Sequence, residues 1–255
     1  MWLGIRFNFK IPAYTIDPNL VSGSGIYEAH EWSLTRKKGH ETYGTDGSEY
    51  DNNKKYLQYI FTLESKKIHQ AISLKNHLDF TKYSHVLEFG CGSMVPSFVI
   101  KNSFPHLSYL ATDYDPYIIE QCSKLSLLDG IDKAVFDLRR DKMDNFANVD
   151  LLICWGLDAC IKDEYILKLL SFAKDRQIPL VMRTSSSGII EYIFYKKSLK
   201  KTKKLLVDKK LRMMGWKRSI GYFKKLAKKE KMNVRIIGED YSTPLLQFTP
   251  KEGIF

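Results

Sequence analysis

The sequence predicts a doubly wound α/β domain, in which a mostly parallel sheet carries helices on both faces. From residue 85 onward, short apolar segments of strand length alternate with longer segments in which apolar residues recur at helical spacing. The segment 149–155 is almost wholly apolar, as is typical of a strand that is covered on both faces. Alternation of this kind around a buried central strand is the pattern of an α/β fold.

The length and composition fit one large globular domain. The chain has 255 residues, of which 44% are hydrophobic and 13% aromatic, so it can bury a core and is not a disordered chain. No apolar run approaches the roughly 18 residues of a membrane span. The apolar stretch before Arg6 is too short for a signal-peptide core. Because the four cysteines form no CxxC pair, we expect a reducing, cytoplasmic location.

The first 80 residues are expected to form a cap on the rest of the chain. Residues 1–50 are rich in Gly and Pro, which interrupt helices and strands, and they are also rich in aromatic residues. Residues 52–77 then follow a helical pattern. We therefore expect an N-terminal aromatic and helical cap or lid over 1–80 and a main α/β domain over 81–255.

The main domain is expected to contain seven strands joined mostly by helices. The strands are expected over 85–89, 107–112, 133–138, 149–155, 179–183, 233–237 and 245–248. The helices are expected over 95–102, from the cap and proline at 115–116 to Gly130, over 164–174, and over the amphipathic segment 216–229, whose apolar face begins at Trp216.

The excess positive charge is confined to one segment. The chain has a net charge of +11, but residues 196–231 hold 16 Lys and Arg and two acids, so this segment carries +14 and the remainder −3. We expect a basic helical insertion at about 190–215, followed by the amphipathic helix. A solvated or weakly anion-attracting surface accounts for this charge, and dedicated binding of nucleic acid or an anionic membrane is the alternative.

A glycine turn follows the first strand of the main domain, at the edge where such sheets bind ligands. Gly90 and Gly92 let the backbone approach a ligand and turn sharply into a helix. Val95 stands where the dinucleotide pattern GxGxxG has its third glycine, and a carboxylate at Glu88 suits a cationic ligand better than a pyrophosphate. Both features disfavour a nicotinamide-dependent reductase. Asp113 ends the next strand and is placed to accept hydrogen bonds from ribose hydroxyls.

Four segments resemble, in their order and spacing, the motifs of class I S-adenosylmethionine-dependent methyltransferases. They are 88–92 (EFGCG), 111–116 (ATDYDP), 136–138 (FDL) and 150–155 (DLLICW). The resemblance covers about residues 83–255. It implies a Rossmann-like sheet of seven strands that ends in a reversed β-hairpin, and it implies S-adenosylmethionine as the cofactor with S-adenosylhomocysteine as the product.

The resemblance also implies which residues bind the cofactor. They are Glu88, Gly90, Gly92, Asp113, Tyr114, Asp137, Leu138 and Trp155. Glu88 would lie near the methionyl ammonium and Asp113 would hold the ribose hydroxyls. Tyr114 would pack on the adenine, whose edge would meet Asp137, and Trp155 would lie near the sulfonium. For Asp137 a solvated loop acid is the alternative.

The catalytic residues are less well determined. Many relatives carry a histidine after the fourth strand, where this chain has LDAC, and the Asn/Asp-Pro-Pro-Tyr signature of amino-methylating enzymes is replaced by CWGL. A general base, if one is used, would come from Asp158 or from the cap, where the candidates by chemistry are His30, Glu31, His40 and Tyr43. For each cap residue a packing or surface role is the alternative. Arg183 ends the fifth strand and suits an anionic acceptor, with a structural ion pair as the alternative. The six histidines show no metal-ligand spacing.

The sequence therefore predicts a methyltransferase that acts on oxygen or nitrogen of a small molecule. Its size, cap and Lys/Tyr/Asn-rich composition resemble methyltransferases of bacterial capsule and surface-polysaccharide biosynthesis, which modify sugars or phosphoramidate-type substituents. This resemblance implies a small, anionic acceptor. The alternatives are an RNA methyltransferase that uses residues 196–231 as a phosphate-binding face, and a non-catalytic partner protein that keeps the fold.

Overall fold

A computed structural model describes residues 8–16, 47–62, 64–184, 211–240 and 243–251. Most of residues 1–50 of the expected cap and most of the expected basic insertion lie outside these described residues. The same is true of the candidate bases of the cap, which are His30, Glu31, His40 and Tyr43.

Nine strands and six helices make up the described part of the chain. The strands are β1 (Lys10–Ile16), β2 (His85–Phe89), β3 (Ser108–Asp113), β4 (Ile131–Val135), β5 (Leu151–Trp155), β6 (Leu180–Arg183), β7 (Leu211–Arg218), β8 (Met232–Asp240) and β9 (Thr243–Pro250). The helices are α1 (Glu49–Thr62), α2 (Ser65–His77), α3 (Val95–Ser103), α4 (Pro116–Ser123), α5 (Asp163–Asp175) and α6 (Ile220–Lys229). None of the helices within the described ranges combines the length and apolar character that crossing a bilayer requires.

Seven of the strands form one sheet in the order β4-β3-β2-β5-β6-β9-β8. Strands β2 to β6 pair in parallel, which confirms the expected doubly wound α/β sheet. Strand β9 runs antiparallel to both β6 and β8, so the last two strands form the reversed hairpin that the resemblance implied. The order reverses between β2 and β5, and in such sheets ligands bind outside the carboxyl ends of the strands at this point.

The core consists of two apolar layers on opposite faces of the sheet. One layer contains buried side chains of α1 to α4, such as Tyr56 and Ile100, and the other contains those of α5 and α6, such as Leu169 and Phe223. Successive residues of a strand point to opposite faces, so neighbouring residues of β2 belong to different layers. This double coverage explains why the central strands are apolar throughout.

Two of the expected helices have different limits in the structure. The helix expected over 52–77 is two helices, α1 and α2. The helix expected to run to Gly130 is α4, which ends at Ser123 and is followed by a 3-10 turn at Ser126–Leu128. Asn53 of α1 holds this turn, because its side chain donates to Ser126 Oγ at 2.6 Å and accepts from the Leu127 amide at 3.4 Å. Local periodicity carries no signal for such a tertiary contact.

The segment that includes Trp216 is a strand, so its assignment to the face of a helix was wrong. Strand β7 pairs antiparallel with β1, and together they form a separate two-stranded ribbon. The following helix, α6, begins only after Ser219, whose Oγ accepts from the Tyr222 amide at 3.1 Å as an N-terminal cap. Strand β1 was likewise missed within a segment read as irregular. Each strand finds its partner about 200 residues away, so pairing overrides the local pattern.

Candidate functional site

Four of the predicted site residues stand at the carboxyl ends of four parallel strands of the sheet. Glu88, Asp113, Trp155 and Arg183 lie at or next to the ends of β2, β3, β5 and β6. Because side chains alternate along a strand, all four project to the face covered by α1 to α4. The sheet therefore brings these residues to one edge and one face, at the position where the strand order reverses.

The glycine turn after β2 has the conformation that the sequence predicts. Gly90 and Gly92 have φ angles of +70° and +53°, in the left-handed region that favours glycine. A Cβ atom on Gly90 would lie 3.2 Å from Leu157 Cδ1, so the turn packs closely against the segment that follows β5. The Cys91 amide donates to the Thr112 carbonyl at 3.0 Å and holds the turn beside the end of β3.

Glu88 is completely buried, and only one of its carboxylate oxygens has a hydrogen-bond partner. Oε2 accepts from Ser97 Oγ at 2.5 Å and from the Tyr109 hydroxyl at 2.7 Å. Oε1 is buried and accepts no hydrogen bond from the residues described here. Burial raises the pKa of Glu88 above its ordinary value, although the two hydrogen bonds oppose this effect.

Asp113 lies against the glycine turn at the end of β3, with an exposed fraction of 1%. Its Oδ2 accepts from the Gly92 amide at 3.0 Å, and its Oδ1 accepts from the Asp115 amide at 3.2 Å. These bonds tie the glycine turn to the turn after β3. Each carboxylate oxygen has a second lone pair, so ribose hydroxyls remain compatible with this arrangement.

Tyr114 and Asp137 are joined by a residue that the sequence analysis did not single out. The Arg139 guanidinium lies over the Tyr114 ring, with Cζ at 5.3 Å from the ring centre. It also binds both oxygens of Asp137, with Nε at 2.8 Å from Oδ1 and Nη2 at 2.6 Å from Oδ2. Hydrogen bonding from Arg139 lowers the pKa of Asp137 below its usual range. Leu138, between them in sequence, is buried.

Trp155 supplies a second buried polar atom that lacks a partner. Its indole Nε1 makes no hydrogen bond with the described residues, although the side chain is only 8% exposed. It lies on the strand next to Glu88, where Phe89 and Cys154 are paired in register. Glu88 Oε1 and Trp155 Nε1 are the two side-chain atoms of the described residues in this condition. One is an acceptor and the other a donor.

Helices α1 and α2 contribute residues to this site that the sequence analysis missed. The buried Tyr56 hydroxyl donates to the Ser93 carbonyl at 2.8 Å, and burial raises its pKa well above the ordinary value. Lys67 Nζ lies 3.5 Å from Ser93 Oγ and 2.9 Å from Glu64 Oε2. Both helices therefore close over the glycine turn. Only the helical periodicity of this segment was visible in the sequence, and it does not indicate what the helices cover.

Arg183 lies beside the turn that follows β5. Its Nη1 would be 3.1 Å from a Cβ atom on Gly156. With the Gln70 amide oriented so that its oxygen faces the guanidinium, that oxygen accepts from Nη2 at 3.1 Å and from Nε at 3.3 Å. Gln70 belongs to α2 and is buried. The Arg183 guanidinium is thus hydrogen-bonded to a neutral amide at the end of β6.

Asp158, the predicted base within the main domain, lies in the 3-10 turn Leu157–Ala159 and is completely buried. The β1/β7 ribbon holds this turn from outside. The fully buried Arg218 of β7 donates from Nη1 to the Asp158 carbonyl and from Nη2 to the Ile161 carbonyl at 2.8 Å. Gly215, with a φ of +137°, packs so closely that a Cβ atom would lie 1.8 Å from the Ala159 carbonyl oxygen.

An acidic residue at the start of α5 balances the charge of Arg218. Asp163 Oδ1 accepts from Arg218 Nε at 2.9 Å and from Nη2 at 2.8 Å, and its Oδ2 accepts from the Tyr222 hydroxyl at 2.7 Å. Lys10 of β1 lies 3.1 Å from the same carboxylate. Burial raises the pKa of Asp163, but the hydrogen bonds from Tyr222 and Arg218 more than offset it, so the net shift is downward. Burial and Asp163 together raise the pKa of Tyr222 to about 12.

The two buried atoms without partners and the glycine turn fit an amino-acid-bearing nucleoside such as S-adenosylmethionine. An α-amino acid group offers an ammonium to an acceptor such as Glu88 Oε1 and a carboxylate to a donor such as Trp155 Nε1. The Gly90–Gly92 backbone adds close approach without side chains. The donor and acceptor chemistry of the residues present therefore suits this group.

Comparison with known proteins identifies structures that have a similar fold. No protein-family model matches the chain, and no curated protein matches its sequence. Human N-acetylserotonin methyltransferase in complex with S-adenosylmethionine superposes with a TM-score of 0.60 at 11% identity, over 90% of this chain and 64% of that one. Mitomycin 7-O-methyltransferase gives 0.55 at 11% identity, over 88% and 69%. PigF with S-adenosylhomocysteine gives 0.53 at 12% identity, over 86% and 69%.

The chain spans roughly two thirds of the length of these proteins. At such low identities the likeness concerns the backbone, and it agrees with the strand order of the sheet. The chain therefore has the fold of the class I S-adenosylmethionine-dependent methyltransferases.

Proposed function

We propose that the protein is an S-adenosylmethionine-dependent methyltransferase that acts on a small molecule. The observation that carries this proposal is the pair of unsatisfied buried atoms, Glu88 Oε1 and Trp155 Nε1, beside a glycine turn in this sheet order. A buried polar group without a partner destabilises a folded protein by about 1–3 kcal/mol. The two atoms lie on neighbouring strands, and one is an acceptor and the other a donor. A ligand that donates to Glu88 Oε1 and accepts from Trp155 Nε1 would satisfy both.

The bound cofactor would supply an electrophilic methyl group on a sulfonium, and the residues of this chain would hold and orient it. Glu88 would accept from the ammonium, and the Gly90–Gly92 turn would pass along the methionyl part. Asp113 would accept from the ribose hydroxyls. Tyr114 would support the adenine face, and Asp137 would accept from its amine, with Leu138 beside them. Trp155 would lie at the methionyl end, where it would also exclude water from the reacting atoms.

The acceptor proposed is small and anionic. Two cations stand near the end of β5, where Arg183 lies beside Gly156 and Lys67 lies beside the glycine turn. An arginine guanidinium is planar and always charged, and its chemistry suits a phosphate or carboxylate. This chemistry suits the methylation of oxygen or nitrogen in a sugar or phosphoramidate-type precursor of bacterial capsule polysaccharide.

The activities named for the structural neighbours also favour a small acceptor. They include a mitomycin 7-O-methyltransferase and an N-acetylserotonin methyltransferase. O-methylation is therefore the first reaction to test.

The proposed general base is Asp158 or, from the cap, His30 or Tyr43. A reducing, cytoplasmic location is proposed as well, since Cys91, Cys122, Cys154 and Cys160 of the described residues form no disulfide.

Titration calorimetry with S-adenosylmethionine and S-adenosylhomocysteine tests the cofactor assignment. We expect micromolar binding by the wild-type protein and a loss of about tenfold or more in Asp113→Ala, because hydrogen bonds to a charged group contribute about 1.5–3 kcal/mol. Asp132→Ala, at an exposed position of β4, is the matched control and should bind like the wild type. Absence of binding by the wild-type protein would contradict the proposal and favour a non-catalytic partner.

An RNA methyltransferase is the second candidate, because one side of α6 carries a row of exposed lysines. They are Lys224, Lys225, Lys228 and Lys229. This row lies on the helix layer opposite to Glu88, so an RNA bound there would have to reach around the sheet edge to the proposed site. For this reason we place the small-molecule acceptor first.

A further inference from the structure

Arg139 bridges the turns that follow β3 and β4. Its guanidinium binds Asp137 with two hydrogen bonds and at the same time covers the ring of Tyr114. The Arg139 amide also donates to Asp137 Oδ1 at 3.0 Å. These turns lie at the ends of adjacent parallel strands, on the same side of the sheet as the glycine turn.

The contacts of this guanidinium are the ones expected for an adenine. Adenine is planar, its exocyclic amine donates along its edge, and its face packs on an aromatic ring. The guanidinium is also planar, donates along its edge and packs on aromatic faces. Asp137 accepts hydrogen bonds from Arg139, and the Tyr114 ring packs against the face of the guanidinium. Asp137 and Tyr114 therefore already make the two kinds of contact that a nucleobase would make there.

We propose that Arg139 occupies the nucleobase position of the cofactor site and leaves it when an adenosine-containing ligand binds. The inference rests on the proposed function, because that function places the adenine on Tyr114 and Asp137. On binding, Asp137 exchanges the guanidinium for the adenine amine, and the Tyr114 face exchanges one planar group for another. Arg139 thereby lowers cofactor affinity and keeps the Asp137 carboxylate satisfied in the free protein.

Displacement of Arg139 is feasible because its contacts are partly exposed. The Arg139 side chain is 33% exposed and that of Asp137 is 15% exposed. Ion pairs at such positions are weak because water and salt screen them. Arg139 follows β4 in a turn, where the side chain has solvent on its outer side. Hydrogen bonding from Arg139 lowers the pKa of Asp137, so the carboxylate is ionised in the free protein.

The adjacent residue provides a matched control. Arg140 Nε lies 3.8 Å from Asp137 Oδ2, but the Arg140 side chain is 83% exposed. Removing either arginine changes the net charge equally. Only Arg139 covers Tyr114, so only its removal should open the nucleobase position.

Calorimetry with adenosine and with S-adenosylhomocysteine tests the proposal on Arg139→Ala and Arg140→Ala. Adenosine is uncharged, so long-range electrostatics do not affect its binding. We expect Arg139→Ala to bind both ligands about threefold to tenfold more tightly than the wild type, the range expected when a screened ion pair and a cation–π contact no longer have to be broken. Arg140→Ala should bind both like the wild type. Equal or weaker binding by Arg139→Ala would overturn the proposal.

A measurement on the wild-type protein gives an independent readout. The Arg139 Nε–H bonded to Asp137 should give a protected arginine resonance in ¹⁵N NMR, and saturating S-adenosylhomocysteine should abolish it. A resonance that persists at saturation overturns the Arg139 assignment alone and leaves the proposed function standing. A wild-type protein that binds neither ligand contradicts the proposed function itself, and the Arg139 assignment with it.

Discussion

At the level of single residues, Glu88 combines complete burial with an incomplete set of hydrogen bonds. Ser97 and Tyr109 satisfy one oxygen and leave the other without a donor among the described residues. Such a group is a cost to the folded protein that a ligand can remove. Stability and binding should therefore change in opposite directions when this residue is altered.

Replacing Glu88 with Gln should stabilise the free protein at neutral and alkaline pH. Burial raises the pKa of Glu88, so the folded state loses stability as the pH rises from the ordinary value of 4.5 through the raised one. Gln carries no charge and still accepts from Ser97 and Tyr109. We expect the free energy of unfolding at pH 8 to increase by about 1–3 kcal/mol, and the gain to shrink toward pH 4.5.

Urea unfolding at pH 5 and pH 8 measures this difference, and calorimetry with S-adenosylhomocysteine should show weaker binding by the same variant. Glu64→Gln, which alters a partly exposed ion pair of α2, is the control and should leave unfolding nearly unchanged. A variant that is less stable than the wild type at pH 8 would contradict this account of Glu88.

At the level of elements, the β1/β7 ribbon determines the position of the segment after β5. Arg218 binds two carbonyls of that segment, and Gly215 packs on a third. The proposed base Asp158 and the neighbour of Arg183, Gly156, lie in or beside this segment. Substitutions in the ribbon should therefore affect the proposed acceptor site indirectly, by shifting the segment after β5.

Gly215→Ala should be strongly destabilising. A Cβ atom would lie 1.8 Å from the Ala159 carbonyl oxygen, so the ribbon or the turn has to move. We expect a loss of about 2–4 kcal/mol from strain and overpacking together. Gly130→Ala is the control, because Gly130 also has a positive φ but its Cβ would meet only Lys101 Cε at 3.5 Å. Comparable losses in the two variants, measured by urea unfolding, would argue against a tight ribbon contact.

Asp163→Asn should remove the charge that compensates the buried Arg218. We expect the free energy of unfolding to fall by about 2–4 kcal/mol at pH 7, since an unpaired buried charge is costly. Because the pKa of Asp163 is lowered in the folded protein, its contribution is complete above the ordinary value of 3.8 and is lost as the pH falls through the lowered one. The wild type and the variant should therefore converge in acid.

Lys10→Met is the control for Asp163. It removes a partly exposed partner of the same carboxylate but keeps an apolar contact with Trp216, over which the Lys10 ammonium lies at 4.0 Å. We expect a change of no more than about 1 kcal/mol. An equal loss in both variants would mean that Lys10, and not Arg218, is the important partner of Asp163.

The parallel sheet could be predicted because its signals are local. Apolar strands, the turn at Gly90 and the cap at Asp115 each depend on a few neighbouring residues. Strands β1 and β7 could not be predicted, because the two paired strands are about 200 residues apart. The need for glycine at 215 likewise depends on a distant residue, since the backbone there packs against the Ala159 carbonyl. The position of the proposed cofactor site could be predicted from the ends of the strands. The contributions of Tyr56, Lys67 and Arg139 could not, because they depend on how the helices and turns pack in the folded chain.

At the level of the whole molecule, the row of lysines on α6 is one basic surface within the described residues. The lysines of α6 are exposed on one helix layer, while Glu88 and the glycine turn belong to the opposite face of the sheet. Lysines near the end of a helix also stabilise it through the helix dipole. The α6 lysines therefore lie on the face opposite to the proposed site, and their effect should be on encounter with polyanions.

We expect weak, salt-sensitive binding of single-stranded RNA that depends on α6. Fluorescence anisotropy at low and moderate salt should show a steep loss of affinity, and the double variant Lys228→Glu with Lys229→Glu should reduce both the affinity and the salt slope. Lys54→Glu with Lys55→Glu on α1 is the matched control for total charge. Equal effects of the two pairs would mean that net charge alone attracts RNA. Neither pair should change the binding of S-adenosylhomocysteine.

The β1/β7 ribbon also sets the moment during synthesis at which the turn after β5 can be fixed in place. The Phe9 amide donates to Ser219 Oγ, a residue 210 positions later. At about 5–20 residues per second, a ribosome needs about 10–40 s to cover that distance. The sheet strands β2 to β6 can pair during this interval, while the β1 segment waits without its partner strand. The turn after β5 can be held by Arg218 only once that residue has left the ribosome, so a nascent chain can form the proposed cofactor-binding edge before the proposed acceptor side is complete.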